Sequence, residues 1–360
     1  MRISSQQWFR QSMTSMLEQQ ASAMKTQEQL ATGKRLLKPS DDPMAASRIL
    51  DVSRAIEKVD QFERNAGQVQ DRLQLQETAV DSGIATLQRV RELIVQANNG
   101  VQSDETREMI AVEVESLRNA LTQQANARDG VGKYLFGGIH DDQPPYMMLG
   151  EHALPVLEDA GGQRVPGVLL ADGSLAPAML DVDGMPIPDP SLDPLDFHPL
   201  GNGQRQIQTS ASTQMADADP ATSVFQYGAG ASRHDILTTV TALAQALQKT
   251  SVAEGTVPVP AGSLTPSQRN AALSDGLAQL DRDIGHLSDV RTGLGVRLNQ
   301  LDLQADVRAE TSIQMRSTLS SLEDVDYAEA VGRLNQQLTG MQAAQQVFVK
   351  VQGLSLFNYL

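Results

Sequence analysis

The chain contains no cysteine in its 360 residues. That excludes disulfides, thiolate metal sites and cysteine nucleophiles, and it suits an exported protein that needs no oxidative folding as well as a cytosolic one. Aromatic residues make up 4 % of the chain, with a single Trp. Compact cores lean on aromatic side chains for buried area, so the shortage predicts thin, elongated packing of helices. Long apolar runs are missing too. Nothing approaches the roughly 18 residues of a membrane-spanning helix, and the opening MRISSQQWFRQSMTSMLEQQ has no apolar core of the kind a cleaved signal needs. Membrane insertion is therefore not expected, and export would use a route that reads no such signal. Positive charge is short: 29 Lys and Arg against 44 Asp and Glu leave a net charge of −15. Such a surface repels nucleic-acid phosphates and anionic lipid.

Signals for chemistry are equally sparse. The five histidines, His140, His152, His198, His234 and His286, include no pair at metal-ligand spacing. The stretch DVDGMPIPDPSLD (181–193) opens like a calcium loop but lacks the third ligand before its Gly and the closing Glu. A hairpin followed by an acidic, proline-rich loop is the better reading. No Gly-x-Ser-x-Gly elbow or Walker loop occurs, and GAGAS (228–232) follows no apolar strand, so it reads as a linker at a domain junction. No carboxylate pair stands out for acid–base work. No catalytic residue, cofactor or metal is expected.

What the chain does have is helical periodicity. Near the start Phe9, Met13, Met16, Gln20, Ala23, Gln27 and Leu30 recur at spacings of four and three; near the end Val331, Leu334, Leu338, Met341, Gln345 and Phe348 do the same. Both are heptad-type seams weakened by Gln and Ala. Helices in water are held mainly by packing an apolar face, so these ends are expected to be loose in a lone subunit and ordered against other chains. A long helix is predicted from 43 to about 99, with Ile49, Ile56, Val69, Leu73, Val80, Leu87 and Ile94 on its stripe and a length of about 85 Å. Ser103, Asp104 and Glu105 then offer a cap and favourable charges for a third helix with Ile110, Val114, Leu117 and Leu121 on its seam.

From GVGKYLFGG (130–138) to about 230 the chain turns rich in Gly, Pro and Asp. Asp-Gly steps in LLADGSL (169–175) and LDVDGMPI (180–187) signal hairpins, and GNGQRQIQTSASTQ (201–214) alternates like one half-buried strand. Helix resumes at about 233–249, and a second long pattern runs from about 267 to 319 through Leu273, Leu280, Leu287, Leu294 and Leu301. The expected fold is mainly α with a β-rich insert: a long antiparallel helical rod with paired terminal helices. Its divisions are 1–40 (N-terminal assembly helix), 41–138 (first part of the rod), 139–230 (outer β-rich domain), 231–320 (second part of the rod) and 321–360 (C-terminal assembly helix).

The stretch TGKRLLKPSDDPMAAS (32–47) reads as a joint between helices, with Gly33, Pro39, Asp41, Asp42 and Pro43 as its working residues. Gly33 stops the first helix. Pro43 suits a first helical position, which makes Asp42 the N-cap, able to accept from the amide of Ala45. Asp41 adds negative charge at the same helix start, and Lys34, Arg35 and Lys38 suit the end of the preceding helix.

Four segments in order, LATGKRLLKPSDDPMAASRIL (30–50), ARDGVGKYLFGGI (127–139), RTGLGVRLNQLD (291–302) and VQGLSLFNYL (351–360), resemble the flagellin family. The KPSDDP loop and the LFNYL ending look more like the members placed where hook meets filament than like filament flagellin. The resemblance covers roughly 1–140 and 270–360; in the variable middle only GQRQIQ (203–208) is similar. It implies a secreted structural protein of the bacterial flagellum, exported by the flagellar type III apparatus. It also implies partners: a second junction protein on the hook side, flagellin on the filament side, a cytoplasmic export chaperone, and further copies of the chain in a ring. On this reading the assembly or chaperone-binding seam comprises Phe9, Met13, Met16, Leu30, Val331, Leu334, Leu338, Met341, Phe348, Leu354 and Leu356. Filament flagellin itself is the alternative within the family. An intracellular coiled-coil scaffold is the alternative outside it, and an enzyme housed in the insert has least support.

Overall fold

The computed structural model describes residues 2–150, 152–170, 172, 174–181, 185–199, 203–229, 232–251 and 263–357. The described residues hold seven α-helices: α1 (Arg2–Thr32), α2 (Pro43–Ala97), α3 (Asp104–Ala125), α4 (Ala221–Val224), α5 (Ile236–Gln248), α6 (Pro266–Glu323) and α7 (Tyr327–Phe357). Two compact units result. One is built from Met1–Gln61 with Asp306–Leu360, the other from Phe62–Ala305. Both α2 and α6 contribute to each unit.

The second unit holds the large core. Along α6, Leu273, Leu280, Leu287, Leu294 and Leu301 recur every seven residues, and all are at most 1 % exposed. Strict sevens keep one stripe of a helix facing one neighbour. Ala66, Leu73, Val80, Leu87 and Ile94 do the same on α2, while Ile110, Val114 and Leu121 face inward from α3. Ser103 caps α3, its Oγ accepting from the Thr106 amide at 3.2 Å. Phe136 and Tyr146 both meet Phe225 edge-on, with centroids 5.2 and 6.1 Å apart.

The insert is a coiled antiparallel sheet. Strands β1 (Tyr146–Leu149), β2 (His152–Asp159), β3 (Arg164–Leu169), β4 (Leu175–Leu180) and β5 (Pro186–Pro188) pair in sequence order, and β6 (Phe197–Pro199) adds to β2. The expected Asp-Gly hairpins join β3 to β4, with Leu169 opposite Leu175, and β4 to β5, with Leu180 opposite Pro186. Two prolines on the short β5 deny an incoming strand its amide donors, a common guard at a sheet edge. The single strand expected at 201–214 is instead the hairpin β7 (Gln206–Gln208) and β8 (Gln214–Ala216). Ser210 breaks it: its Oγ accepts from the amides of Ser212 and Thr213, which turns the chain. Short pairs β9 (Gln226–Tyr227) with β10 (His234–Asp235), and β11 (Thr250–Ser251) with β12 (Ser263–Leu264), complete the unit. Asp181, the calcium-like residue, accepts from the Met185 amide at 2.8 Å and so closes a hairpin. Among the described residues no cluster of metal-ligating side chains occurs, and no helix is long and apolar enough to cross a membrane.

Candidate assembly face and its joint

In the first unit α1 runs antiparallel to α7. Ser22 lies across from Gln337, whose Nε2 donates to its Oγ at 2.8 Å, and the Gln19 amide sits against Gly340. The inward positions are Ser12, Met16, Gln19, Ala23, Thr26 and Leu30 on α1, and Ala330, Leu334, Gln337, Met341, Ala344 and Phe348 on α7. Both sets step by four and three, the heptad seam of an antiparallel pair. The content differs from expectation. Met13 (44 % exposed), Val331 (46 %) and Leu338 (39 %) point away from the partner helix, and Gln20, Gln27 and Gln345 are exposed as well. Met16, Leu30, Leu334, Met341 and Phe348 lie in the seam as predicted. Phe9, Leu354 and Leu356 belong to α1 and α7, but their side chains fall outside the described residues.

The reason for the shift is chemical. Small and polar residues hold seven of these twelve inward positions, so hydrophobicity alone does not mark the inner face. Polar layers in a helical seam set register at a cost in stability. Gln337 illustrates both effects: one amide nitrogen bonds Ser22, while its buried Oε1 has no partner among the described residues. Leu17, Met24, Val347 and Val349 join Met13, Val331 and Leu338 on the outer surface of the pair. Helices that spend their apolar residues outward present a face that the chain itself leaves uncovered.

The joint lies wholly inside this unit. Gly33 ends α1 with φ +71°, and a Cβ there would meet the Tyr327 hydroxyl at 3.0 Å. Two linkers are then stitched together. The Arg35 amide donates to the Glu323 carbonyl at 2.7 Å, and the Val325 amide donates back to the Gly33 carbonyl at 2.9 Å. Asp42 Oδ1 accepts from the Ala45 amide at 3.0 Å, capping α2. Pro43 opens that helix, and Pro39 sits in the turn before it. The other charges work differently from expectation. Lys34 pairs with Glu323, and the Arg35 guanidinium donates to the Leu322 carbonyl at 2.9 Å. Both therefore serve the C-terminal end of α6, where unpaired carbonyls favour cations, rather than the end of α1. Asp41 takes Lys25 at 2.7 Å and the Lys38 amide at 3.3 Å, so it braces α1 to the linker. Lys25 thereby holds the Asp41 carboxyl below its ordinary pKa range, and Glu323 raises that of Lys34.

The second unit uses polar residues the periodicity overlooked. Arg72, 7 % exposed on α2, lies among Asp129, Asp141 and Asp217 and donates to the Tyr134 carbonyl at 2.9 Å. Gln76, fully buried, donates to the carbonyls of Leu135 and Asp219, both at 2.8 Å, and accepts from the Asp219 amide at 2.9 Å. The two side chains tie the start and end of the insert to one helix. Burial would raise the Asp141 pKa, but Lys133, Arg72 and Arg205 outweigh it and hold the carboxyl below its ordinary range. The readable signal was a Gln at a position where the α2 stripe calls for an apolar residue.

Two family models match this chain: the bacterial flagellin N-terminal helical region over residues 3–141 and the bacterial flagellin C-terminal helical region over 277–360. The chain belongs to the flagellin family. The N-terminal match ends at Asp141, within the Arg72 cluster, and the C-terminal match takes in most of α6 and all of α7. Between them lie the sheet, α4 and α5, which neither model covers. Across the whole length, the chain is 27 % identical to the flagellar hook-associated protein 3 of Escherichia coli, with 99 % of each chain covered. It is 34 % identical to a Listeria monocytogenes flagellin, but over 28 % of this chain and 35 % of that one. The fold resembles the crystal structure of flagellar hook-associated protein 3 from Legionella pneumophila. That likeness has a TM-score of 0.54 at 18 % identity, covering 76 % of this chain and 98 % of the other.

Proposed function

We infer that this chain is a structural subunit of the bacterial flagellum, set in the layer where hook meets filament. The observation that carries the reading is the end-to-end match to a hook-associated protein 3, insert included, where filament flagellin matches over about a third of its length. A subunit with this role works by holding shape between two different neighbours. Unit one supplies the assembly face: a seam too polar to be self-sufficient, with apolar residues turned outward. Neighbouring subunits complete its buried area, a second junction protein below and flagellin above, with copies of the chain closing a ring. Before export, the same outward residues suit a chaperone that keeps the C-terminal helix from polymerising, and a marginal pair is easily unthreaded for passage through the type III apparatus. The role is mechanical and needs no catalysis.

Removing the gene tests it. Cells should bear hooks without filaments and release flagellin into the medium, and the intact gene in trans should restore filaments. Hooks that still carry full filaments would remove the junction assignment; a mutant that secretes no flagellin at all would point to a role in export.

A further inference from the structure

The inner face of the sheet does not close fully onto α5. A chamber of about 300 Å³ remains between them, and no part of the assembly role uses it. We propose that this chamber is a binding site for a small planar apolar molecule carrying one N–H or O–H donor, of the indole or phenol class.

Three features carry this. First, the lining is mostly apolar: Leu154, Val168, Leu169, Leu175 and Met185 contribute from the sheet side, and Ala242 from α5. A mainly apolar concavity with a few polar groups favours an apolar guest. Its volume sits at the lower end of the range for ligand pockets, on the order of 300–1,000 Å³, enough for one or two rings.

Second, two hydroxyls on the helix side are arranged as acceptors. Thr238 and Thr241, one turn apart on α5, both line the chamber. Thr238 Oγ1 donates its proton to the Asp235 carbonyl at 2.6 Å, and Thr241 Oγ1 donates to the Leu237 carbonyl at 2.9 Å. With both protons committed to the helix, each hydroxyl offers only lone pairs. A guest with one donor gains a hydrogen bond there, and a guest with acceptors alone does not.

Third, the frame is rigid. Asp235, at the base of α5, is fixed by three donors: the Tyr146 hydroxyl at 2.7 Å, Gln226 Nε2 at 3.0 Å and the Leu237 amide at 2.9 Å. At the far end Gln245 Nε2 lies 3.2 Å from His152 Nε2, joining helix to sheet. The chamber is thus held open at both ends by polar ties, and filling it does not require the sheet to move.

The test uses the full-length chain with methyl-labelled Ala and Thr, titrated with indole and, separately, with benzofuran, which keeps the shape and replaces the N–H by oxygen. Indole should shift the methyl resonances of Ala242 and Thr241 and raise the melting temperature in proportion to its concentration, and benzofuran should bind at least tenfold more weakly. Ala242→Leu, which fills the chamber from the helix, should abolish the shifts, and Val168→Phe does the same from the sheet if the first variant fails to fold. Millimolar indole that leaves both methyls unmoved would overturn the proposal. So would unchanged indole binding in a folded, filled variant. Equal binding of benzofuran would remove the donor specificity.

Discussion

The two units of this chain bury different things. In the second, the fully buried side chains are Leu73, Leu87, Ile94, Leu121, Phe136, Tyr146, Phe225 and the α6 leucines. Among the described residues of the first, the buried apolar ones are Ala23, Ala45, Val325 and Ala330, joined by Thr26, while Met44, Leu50, Val307 and Ile313 lie exposed. Burying a Leu or Phe contributes about 1.5–3 kcal/mol, and an Ala far less. One unit can stand on its own core. The other, among its described residues, is a scaffold of small contacts and backbone ties, and under the proposed function neighbouring subunits would supply the rest of its buried area. For a subunit that must be exported before it assembles, the division is useful: folding energy and assembly energy are stored in separate places.

Substitutions that separate the two energies test this most strongly. Phe225→Ala removes the ring that both Phe136 and Tyr146 pack against, and should lower the stability of the second unit by about 3–5 kcal/mol, read as a drop in the urea midpoint. Leu338→Asp touches no seam partner, so the midpoint should stay put while filament formation in a complemented null strain is lost. Normal motility with Leu338→Asp would exclude this residue from the assembly face, and a large midpoint shift would make it a folding residue after all.

Hydrogen exchange compares the units without mutation. In a dilute monomer, amides before about residue 40 and after about 325 should exchange through local opening, whereas those of α3, α5 and the α6 leucine stripe should approach the global rate. Equal protection across both units would mean that the α1–α7 pair is self-sufficient, which its polar seam argues against.

The contrast also explains what could be read in advance. Where apolar residues do the packing, the period locates them: the leucines of α6, the seam of α3 and both Asp-Gly hairpins were legible. The cap at Asp42 was legible because a residue before Pro43 with a free carboxylate has few other roles at a helix start. Along α1 and α7 the period was visible but its phase was not. Met13, Val331 and Leu338 are more apolar than Ser12, Gln337 and Ala344, yet the latter face inward, so hydrophobicity does not mark the inner face here. Arg72 and Gln76 were hidden for a related reason. Their partners are backbone carbonyls and aspartates about 60–145 residues away in sequence, which no local pattern announces.

Within the joint, two backbone positions should give intermediate effects. Gly33→Ala places a Cβ in a left-handed conformation, destabilising by about 1–2 kcal/mol, and crowds the Tyr327 hydroxyl across the two linkers. Asp42→Ala loses the α2 cap, worth about 1 kcal/mol. If the stitched linkers set the angle that neighbouring subunits require, both variants should impair assembly more than they lower monomer stability. Proportional losses would reduce the stretch to an ordinary helix connection.

The smallest expected effect is electrostatic, and its sign is fixed by geometry. Lys25 at 2.7 Å holds the Asp41 carboxyl below its ordinary value of 3.8. A depressed folded pKa means the brace is fully present above the ordinary value and is lost as pH falls through the folded one. Both side chains are open to solvent, and exposed pairs are screened by salt. Lys25→Met should therefore return the Asp41 carboxyl resonance toward an ordinary titration midpoint and leave the global unfolding midpoint at neutral pH almost unchanged. If Asp41 titrates at the same pH with and without Lys25, the amide of Lys38 alone sets its pKa, and the brace from α1 to the linker has no electrostatic part in holding the joint.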